Sequence, residues 1–437
     1  MSDTALAIGS FPVLLALIFL RLPIGLAMFL VGFGGAWAVT GSPLMLLAQF
    51  KTLTFGTFSN YSLSVIPLFL LMGQFATISG MSAALFSAAA AWLGHRRGGV
   101  VMAAIGACAG FGAICGSSLA TASTMGQVAL PHLRRQGYSG ALSTGALAAG
   151  GTLGILIPPS VVLVLYAILA EQNIAKLFLA AVIPGLLATL GYMVTVAILM
   201  RTGRETGAVL PRQTLSQRLR ALRPVLPVAV IFALVVGGIY LGLFTPTEGA
   251  AIGAAGTGLA ALARGGLGRA DLRQAALNTA GATGMIFVII LGAGVFNTFL
   301  ALTLLPQNTA AWIAAQGFGP WTVLCAILLL YLVFGCVMDS ISMILLTVPI
   351  FYPVIMSLDF GLPEDALGIW FGVLVLIVVE VGLITPPVGM NLYVINAMAG
   401  DIPIRQTFRG ALHFVIADLL RVVLLVCFPA LTLGLMY

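Results

Sequence analysis

Charged residues are scarce in this sequence. Only 7% of its 437 residues are Asp, Glu, Lys or Arg, whereas 61% are hydrophobic. A soluble domain carries charge on about a quarter of its residues, so the composition excludes a soluble globular protein. A bilayer core about 30 Å thick is crossed by ~20 apolar residues in a helix. Runs of that length occupy residues 176–200, 224–244, 366–384 and 411–437, and they predict an all-α polytopic membrane protein.

Recognisable catalytic and metal-binding patterns are also missing. The sequence has no Walker loop and no Ser-His-Asp or Cys-His arrangement, and its three histidines do not cluster. The five cysteines lie in apolar surroundings without metal-type spacing, which is typical of small packing residues. These cysteines are Cys108, Cys115, Cys325, Cys336 and Cys427. We therefore expect neither an enzyme nor an ATP-driven pump, and no cofactor.

Basic residues are concentrated between apolar segments. The net charge is +7, and six arginines lie in residues 201–223, between two apolar spans. This is the positive-inside signature of a cytoplasmic loop, so the charge does not indicate a nucleic-acid partner. The first span, near residues 5–20, reaches Arg21 and continues into another span. We expect it to be a retained anchor rather than a cleaved signal.

Two apolar segments are predicted to be re-entrant hairpins. Residues 98–131 lie between two basic clusters, so the segment must enter and leave on the cytoplasmic face. Its centre reads GFGAICGSSLATAS, and such irregular backbone is tolerated at membrane depth only where protein or water covers it. Residues 320–356, with the centre FGCVMDSISM, behave likewise. The acidic loop at 359–365 places this second segment on the opposite face.

The two halves of the sequence resemble each other. GAICGS at 112–117 matches GCVMDS at 335–340, and GILIPPS at 154–160 matches GLITPPV at 382–388. Each half reads as five crossings, an odd number, so the second half is expected to be inverted relative to the first, as in many transporters. The predicted parts are a first repeat at 1–200 with its broken helix at 141–170, a basic cytoplasmic linker at 201–223, a second repeat at 224–437 with its broken helix at 366–398, and interfacial arms at 82–94 and 308–318.

A pair of prolines interrupts one apolar helix in each half. Each pair removes two amide donors and stops the helix, so the carbonyls of residues 154–157 and 382–385 are expected to be free. Facing the hydroxyls of a hairpin tip, such carbonyls suit Na⁺. A simple proline kink beside a small-residue packing motif is the alternative. The predicted sodium ligands are Ser117, Ser118, Gly154, Ile157, Gly335, Asp339, Gly382 and Thr385, with no other metal expected.

Polar residues inside the apolar segments are the remaining candidates. Asp339 is predicted to coordinate an ion or control a gate, because intramembrane carboxylates usually face a cavity or a partner; a structural cap of the hairpin tip is the alternative. Glu380 is equally well explained as a functional residue or as part of a packing ion pair. Asn297 and Asn391 would donate to a substrate carboxylate unless they make interhelical hydrogen bonds. The predicted substrate-binding residues are Ser118, Asn297, Ser340, Ser342 and Asn391.

The stretch FTPTEGAA at 244–251 predicts the start of a helix. Thr245 or Thr247 would cap it, and Glu248 in the first turn would complement the helix macrodipole. We expect this role to be structural.

Six motifs follow one another along the chain: PLFLLMGQFATISGMS (67–82), GAICGSSLATAS (112–123), IPPSVVLVLY (157–166), FTPTEGAA (244–251), VMDSISMILLTVP (337–349) and ITPPVGMNLY (384–393). Together they resemble the large membrane subunit of tripartite ATP-independent periplasmic (TRAP) transporters. The resemblance covers nearly the whole chain in the expected order. It implies an elevator-type ion-transporter fold and a sodium-coupled importer of a small organic acid, such as a C4-dicarboxylate or a sialic acid, in the bacterial inner membrane. It also implies two partners, a periplasmic substrate-binding protein and a small four-helix membrane subunit, the latter expected as a separate polypeptide.

Two other classes of protein are compatible with the sequence. One is a self-sufficient secondary carrier of the wider ion-transporter superfamily, which needs no binding protein. The other is a passive channel, against which the paired broken helices count.

Overall fold

The structure describes residues 2–436, without the side chain of residue 314, and consists of helices joined by turns and by one longer connection between residues 201 and 215. The structure is a computed structural model. Two 3₁₀ turns, Tyr61–Ser64 and Arg223–Val225, lead into the helices that follow them. The predicted all-α fold is confirmed. The α-helices are α1 (Asp3–Phe19), α2 (Ile24–Thr40), α3 (Leu44–Phe58), α4 (Val65–Ile78), α5 (Met81–Leu93), α6 (Gly99–Cys115), α7 (Ser118–Arg135), α8 (Gly140–Leu156), α9 (Val161–Leu169), α10 (Ile174–Arg201), α11 (Leu215–Leu222), α12 (Leu226–Tyr240), α13 (Pro246–Ala263), α14 (Arg269–Leu302), α15 (Leu305–Ala315), α16 (Pro320–Gly335), α17 (Ser340–Met356), α18 (Glu364–Gly382), α19 (Met390–Ala399), α20 (Ile404–Cys427) and α21 (Ala430–Leu433).

Several of these helices are long and apolar enough to cross a membrane. By length and composition six stretches qualify, namely Tyr61–Ile78, Ile174–Arg201, Leu215–Tyr240, Arg269–Leu302, Glu364–Gly382 and Ile404–Cys427. α8 and α9 form a seventh if they are taken as one span, bent by 46° at the break between them. Other apolar helices, such as α2 and α6, have 17 residues. The chain is therefore a multi-pass membrane protein.

The predicted interruptions fall at breaks between helices. The segment predicted as the first hairpin contains α6 and α7, and α7 continues past Pro131 to Arg135. The second contains α16 and α17, with bounds of 320 and 356. α8 and α9 flank the first proline pair, and α18 and α19 flank the second. The division into two inverted repeats stays a prediction; residues 1 and 437, at its outer limits, lie outside the described residues.

Local sequence sets where individual helices begin. At the start of α13, Thr245 Oγ1 accepts a hydrogen bond from the Glu248 amide at 3.3 Å, while Glu248 Oε2 accepts one from the Thr245 amide at 2.8 Å. Pro246 occupies the first turn, where its missing amide proton costs nothing. The predicted structural role of Glu248 is confirmed as this capping box.

Helices from the two halves pack against one another in matched pairs. α2 packs against α14, and α4 packs against α13; likewise α9 packs against α17, and α19 against α7. If the helices that precede the hairpins are matched in chain order, α2 with α13 and α4 with α14, each contact has a counterpart with the halves exchanged. The first hairpin rests on α8 and the second on α18 in the same manner.

α18 lies at the centre of the molecule. In its most apolar window 94% of the residues are buried inside the protein, compared with 33–50% in the other long helices. The segment after α10 returns along the outside instead: the Ala208 amide donates to Gln136 O at 2.8 Å, and the Leu210 amide donates to Gly94 O at 3.0 Å. The predicted linker at 201–223 is therefore partly helical, since α11 lies within it, and it is attached to α5 and α7.

Candidate ion and substrate site

A cavity of about 80 Å³ lies where the turns of both hairpins meet the ends of both broken helices. α4 and α14 close it from outside with Leu70 and Ile286. Four of the residues predicted to bind sodium or substrate line it: Ser117 and Ser118 from the first hairpin, and Asp339 and Ser340 from the second. The lining residues are Leu70, Gly116, Ser117, Ser118, Leu119, Ile155, Val161, Val162, Ile286, Asp339, Ser340, Ile341, Leu383 and Met390.

The first hairpin turns at Gly116 and Ser117. Gly116 has φ +63°, a left-handed conformation that glycine adopts without strain. Ser117 then caps α7, its hydroxyl accepting a 3.5 Å hydrogen bond from the Ala120 amide. A Cβ atom at Gly116 would lie 3.0 Å from the carbonyl oxygen of Pro159, so this tip touches the first proline break directly.

Gly154 allows this hairpin to lie against α8. A Cβ atom built there would lie 2.3 Å from Thr121 Oγ1 and 2.7 Å from Ser117 O. The helical hydrogen-bond donors for the carbonyls of Gly154 and Ile155 would be residues 158 and 159, which are prolines without an amide proton. Gly154 therefore contributes a close backbone approach, and its carbonyl loses its helical donor as predicted.

The second hairpin turns at Asp339, which caps α17. Its Oδ2 accepts a 3.1 Å hydrogen bond from the Ser342 amide, and its Oδ1 accepts one from the Ser342 hydroxyl. The capping interaction anticipated as the alternative for Asp339 is thus present, and the residue lines the cavity as well. Ser342 is buried behind it and does not line the cavity.

The second proline break is more fully hydrogen-bonded than predicted. The Thr385 amide donates to Gly382 O at 3.0 Å, and the Asn391 amide donates to Leu383 O at 3.2 Å. The expectation that these two carbonyls are free is wrong: a local turn brings the Thr385 amide to Gly382 O, and the turn of the chain at Gly389 brings the Asn391 amide to Leu383 O. The Gly389 amide also donates to Cys336 O at 3.3 Å, which ties the break to the second hairpin.

Close packing or a local hydrogen bond accounts for four of the predicted sodium ligands, namely Gly335, Gly382, Thr385 and Ile157. A Cβ atom at Gly382 would lie 2.4 Å from the carbonyl carbon of Gly335, so these glycines let α16 and α18 touch. Thr385 donates its hydroxyl to Val381 O at 2.6 Å, and Ile157 packs against Gly185. None of these four predicted sodium ligands lines the cavity.

The two asparagines are not part of the cavity wall. Asn391 is fully buried and donates from Nδ2 to Ala148 O at 3.3 Å, which is the interhelical hydrogen bond weighed as its alternative role. Asn297 lies on α14 eleven positions beyond Ile286, which is ~16 Å along a helix axis. The structure does not bring Asn297 to the cavity.

A buried charged cluster lies behind the second hairpin. Glu380 Oε1 accepts a 3.2 Å hydrogen bond from the hydroxyl of Ser340. On α20, Asp418 and Arg421 form an ion pair at 2.9 Å, with both side chains almost fully buried. Sequence reasoning singled out Glu380 but missed this pair. The signal was there: two opposite charges three positions apart in an apolar run lie on one helix face.

The cavity is too small for a typical organic ligand in this conformation. Binding pockets for small molecules measure ~300 Å³ or more, so 80 Å³ suits an ion and a few waters. Apolar side chains form most of its wall, with three hydroxyls and one carboxylate among them. Hairpin tips and interrupted helices that meet inside a bundle of membrane-length helices define a membrane transporter.

Comparison with known proteins identifies the family. The profile described as "Tripartite ATP-independent periplasmic transporter, DctM component" matches residues 11–431. The chain therefore belongs to this family of transporter permeases, which confirms the expectation of a non-enzymatic protein.

Curated relatives carry several substrate names. The chain is 37% identical to the C4-dicarboxylate TRAP transporter large permease protein DctM of Pseudomonas aeruginosa, covering 87% of each chain. It is 30% identical to the sialic acid TRAP transporter large permease protein SiaM of Vibrio cholerae, covering 98% of this chain and 97% of the relative.

A solved structure shares the fold. The YdaH transporter of Alcanivorax borkumensis matches with a TM-score of 0.64 at 17% identity, over 89% of this chain and 90% of its own. The expected transporter fold class is confirmed.

Proposed function

We propose that this chain is the permease subunit of a secondary transporter that imports a small organic acid across the bacterial inner membrane, coupled to Na⁺. The observation that carries the proposal is the meeting of two hairpin turns and two proline breaks at one cavity. Ser117 and Ser118 line it from the first hairpin, and Asp339 and Ser340 line it from the second. Neutral hydroxyls with one carboxylate form a suitable shell for a monovalent cation.

The relatives support an organic acid as the substrate class. Names printed for them include C4-dicarboxylate and sialic acid, so a C4-dicarboxylate is the first substrate to test. Because the cavity is smaller than such a molecule requires, substrate binding needs α4 and α14, which close the cavity, to move away from the hairpins. Movement of the hairpins with their broken helices against the remaining helices, as in an elevator mechanism, would provide that space.

Membership of the family supports two partners. One is a periplasmic binding protein that delivers the substrate, and the other is a small four-helix membrane subunit. A carrier that works without a binding protein is the second candidate function, and it predicts transport by the chain alone.

Reconstitution into liposomes tests the proposal. Uptake of radiolabelled succinate and of a sialic acid is measured with and without the candidate binding protein and small subunit, under an inward Na⁺ gradient. Accumulation should require Na⁺ and all three proteins, and it should stop when K⁺ replaces Na⁺ while ATP is present. Uptake driven equally well by K⁺ would contradict sodium coupling, and uptake without the binding protein would favour the self-sufficient carrier.

A further inference from the structure

Glu380 is a buried carboxyl group that the cavity wall does not include. It lies on α18 and is 1% exposed. Its Oε1 accepts a hydrogen bond from Ser340, while its Oε2 has no hydrogen-bond partner among the described residues. Burying an ionisable group is energetically costly unless other groups compensate. Its place in the most deeply buried of the membrane-length helices therefore calls for a specific role.

Further polar groups extend from Glu380 across the protein interior. α20 packs against α18 and carries the buried ion pair of Asp418 and Arg421. Tyr192 donates its hydroxyl to Asp418 Oδ2 at 2.7 Å and lies 3.1 Å from the hydroxyl of Thr152. Thr152 belongs to α8, two residues before Gly154. The cluster therefore runs from the second hairpin tip to the first broken helix, behind both sides of the cavity.

The hydrogen bond fixes how Ser340 presents its hydroxyl group. A serine hydroxyl has one proton and two lone pairs, and it ordinarily rotates to suit its surroundings. Oε1 of Glu380 is an acceptor whether the carboxyl group is ionised or carries its proton on Oε2. In the structure Ser340 donates to Oε1 of Glu380, which leaves both lone pairs of its Oγ available to a cation in the cavity.

We infer that Glu380 is a positioning residue for the cation site, holding Ser340 as an oxygen ligand that faces the cavity. The inference rests on the proposed sodium-coupled function. Glu380 touches neither the ion nor the substrate, and it acts through Ser340. Since its contribution is an accepting oxygen, glutamine at this position supplies the same group, whereas an aliphatic side chain does not.

Binding of ²²Na⁺ to the purified full-length chain tests the inference, with K⁺ keeping the ionic strength constant. Glu380→Leu keeps the side-chain volume in apolar surroundings and removes the acceptor, so the Kd for Na⁺ should rise about five- to tenfold. Glu380→Gln should remain within about threefold of the wild-type Kd. Ser340→Ala should weaken binding as much as Glu380→Leu, and the double variant no further, because both changes remove one coupled interaction.

A matched control lies on the same helix. Asp365→Asn converts a carboxylate into an amide, as Glu380→Gln does, but at an exposed residue that pairs with Lys176 at 3.0 Å. It should leave the Kd for Na⁺ unchanged. Thermal melting in K⁺ distinguishes a positioning role of Glu380 from a purely structural one, because loss of a purely structural residue lowers the Tm without changing the Kd for Na⁺.

Four outcomes would overturn the inference while leaving sodium binding intact. They are a wild-type Kd in Glu380→Leu, a wild-type Kd in Ser340→Ala, a loss in Glu380→Gln as large as in Glu380→Leu, and additive losses in the double variant. Should Glu380→Leu fail to fold, Ser340→Ala and Glu380→Gln still decide the question. Absence of saturable ²²Na⁺ binding to the wild-type chain would instead refute the proposed sodium coupling.

Discussion

At the scale of single residues, Asp339 combines a structural and a functional position. Its carboxylate accepts both the amide and the hydroxyl hydrogens of Ser342, and the residue also lines the cavity. Asparagine keeps one side-chain oxygen for the amide of Ser342 but removes the charge. We expect Asp339→Asn to reach the membrane with its Tm nearly unchanged and to reduce Na⁺-driven uptake at least tenfold.

Uptake by Asp339→Asn is compared with uptake by Asp401→Asn, whose exposed carboxylate pairs with Arg134. The control should transport normally. If a well-expressed Asp339→Asn also transports normally, the carboxylate serves only as a helix cap.

Gly382 provides a second residue-scale prediction. A Cβ atom there meets the backbone of Gly335 at 2.4 Å, and backbone atoms cannot rotate out of the way as a side chain can. Gly382→Ala should therefore destabilise the protein by about 1–3 kcal/mol, the usual cost of overpacking. Gly284→Ala on α14 has no atom within 4 Å of the new methyl group and should be neutral or slightly stabilising. Thermal melting in detergent compares the two, and equal melting temperatures would show that α16 and α18 do not need this close contact.

At the scale of elements, we expect the returning segment after α10 to respond to pH through His95, which lies in the loop between α5 and α6. Its Nδ1 lies 3.4 Å from Nη2 of Arg218 on α11. Partial removal from water has the largest effect on the pKa of His95 and lowers it. The positive charges of Arg218, Arg212 and Arg96 lower this pKa further. A lowered pKa means that the detached state binds the proton more tightly, so attachment of α11 weakens as the pH falls below about 6.5.

Hydrogen exchange measures this effect. Amide protection across residues 201–222 should be lower at pH 5.5 than at pH 7.5, after correction for the intrinsic exchange rate. His95→Gln cannot take up the proton and should remove the pH difference. A pH difference that persists in His95→Gln would assign the response to another group.

Element positions were largely predictable, whereas pairings between elements were not. Proline pairs and glycine-serine turns act through the local backbone, so both breaks and both hairpin turns follow from sequence. The partners of Gly382 and Asn391 depend on how the chain folds back at Gly389, which no local pattern encodes. The prediction that Asn297 lies at the cavity failed for the same reason, because hydrophobic periodicity indicates a helix but not which of its turns faces the cavity.

At the scale of the whole molecule, the inverted arrangement of the halves can be tested by labelling. Cys325 and Cys427 are exposed and should first be replaced, whereas the other three cysteines are buried. Single cysteines are then introduced at Gln136 and Asp359, which follow the two hairpins. A membrane-impermeant maleimide should label them from opposite faces of the membrane. Labelling of both from one face would exclude inversion.

The two proline pairs differ in one respect that their sequences do not explain. Pro158 and Pro159 are buried, whereas Pro386 and Pro387 are exposed. If the halves are repeats, this difference is a property of the conformation rather than of the local residues. The same chain would then have a second conformation of comparable energy in which the first break is uncovered and the second is sealed. Such an asymmetry lets a carrier open its substrate site to one side of the membrane at a time, whereas a channel does not require it.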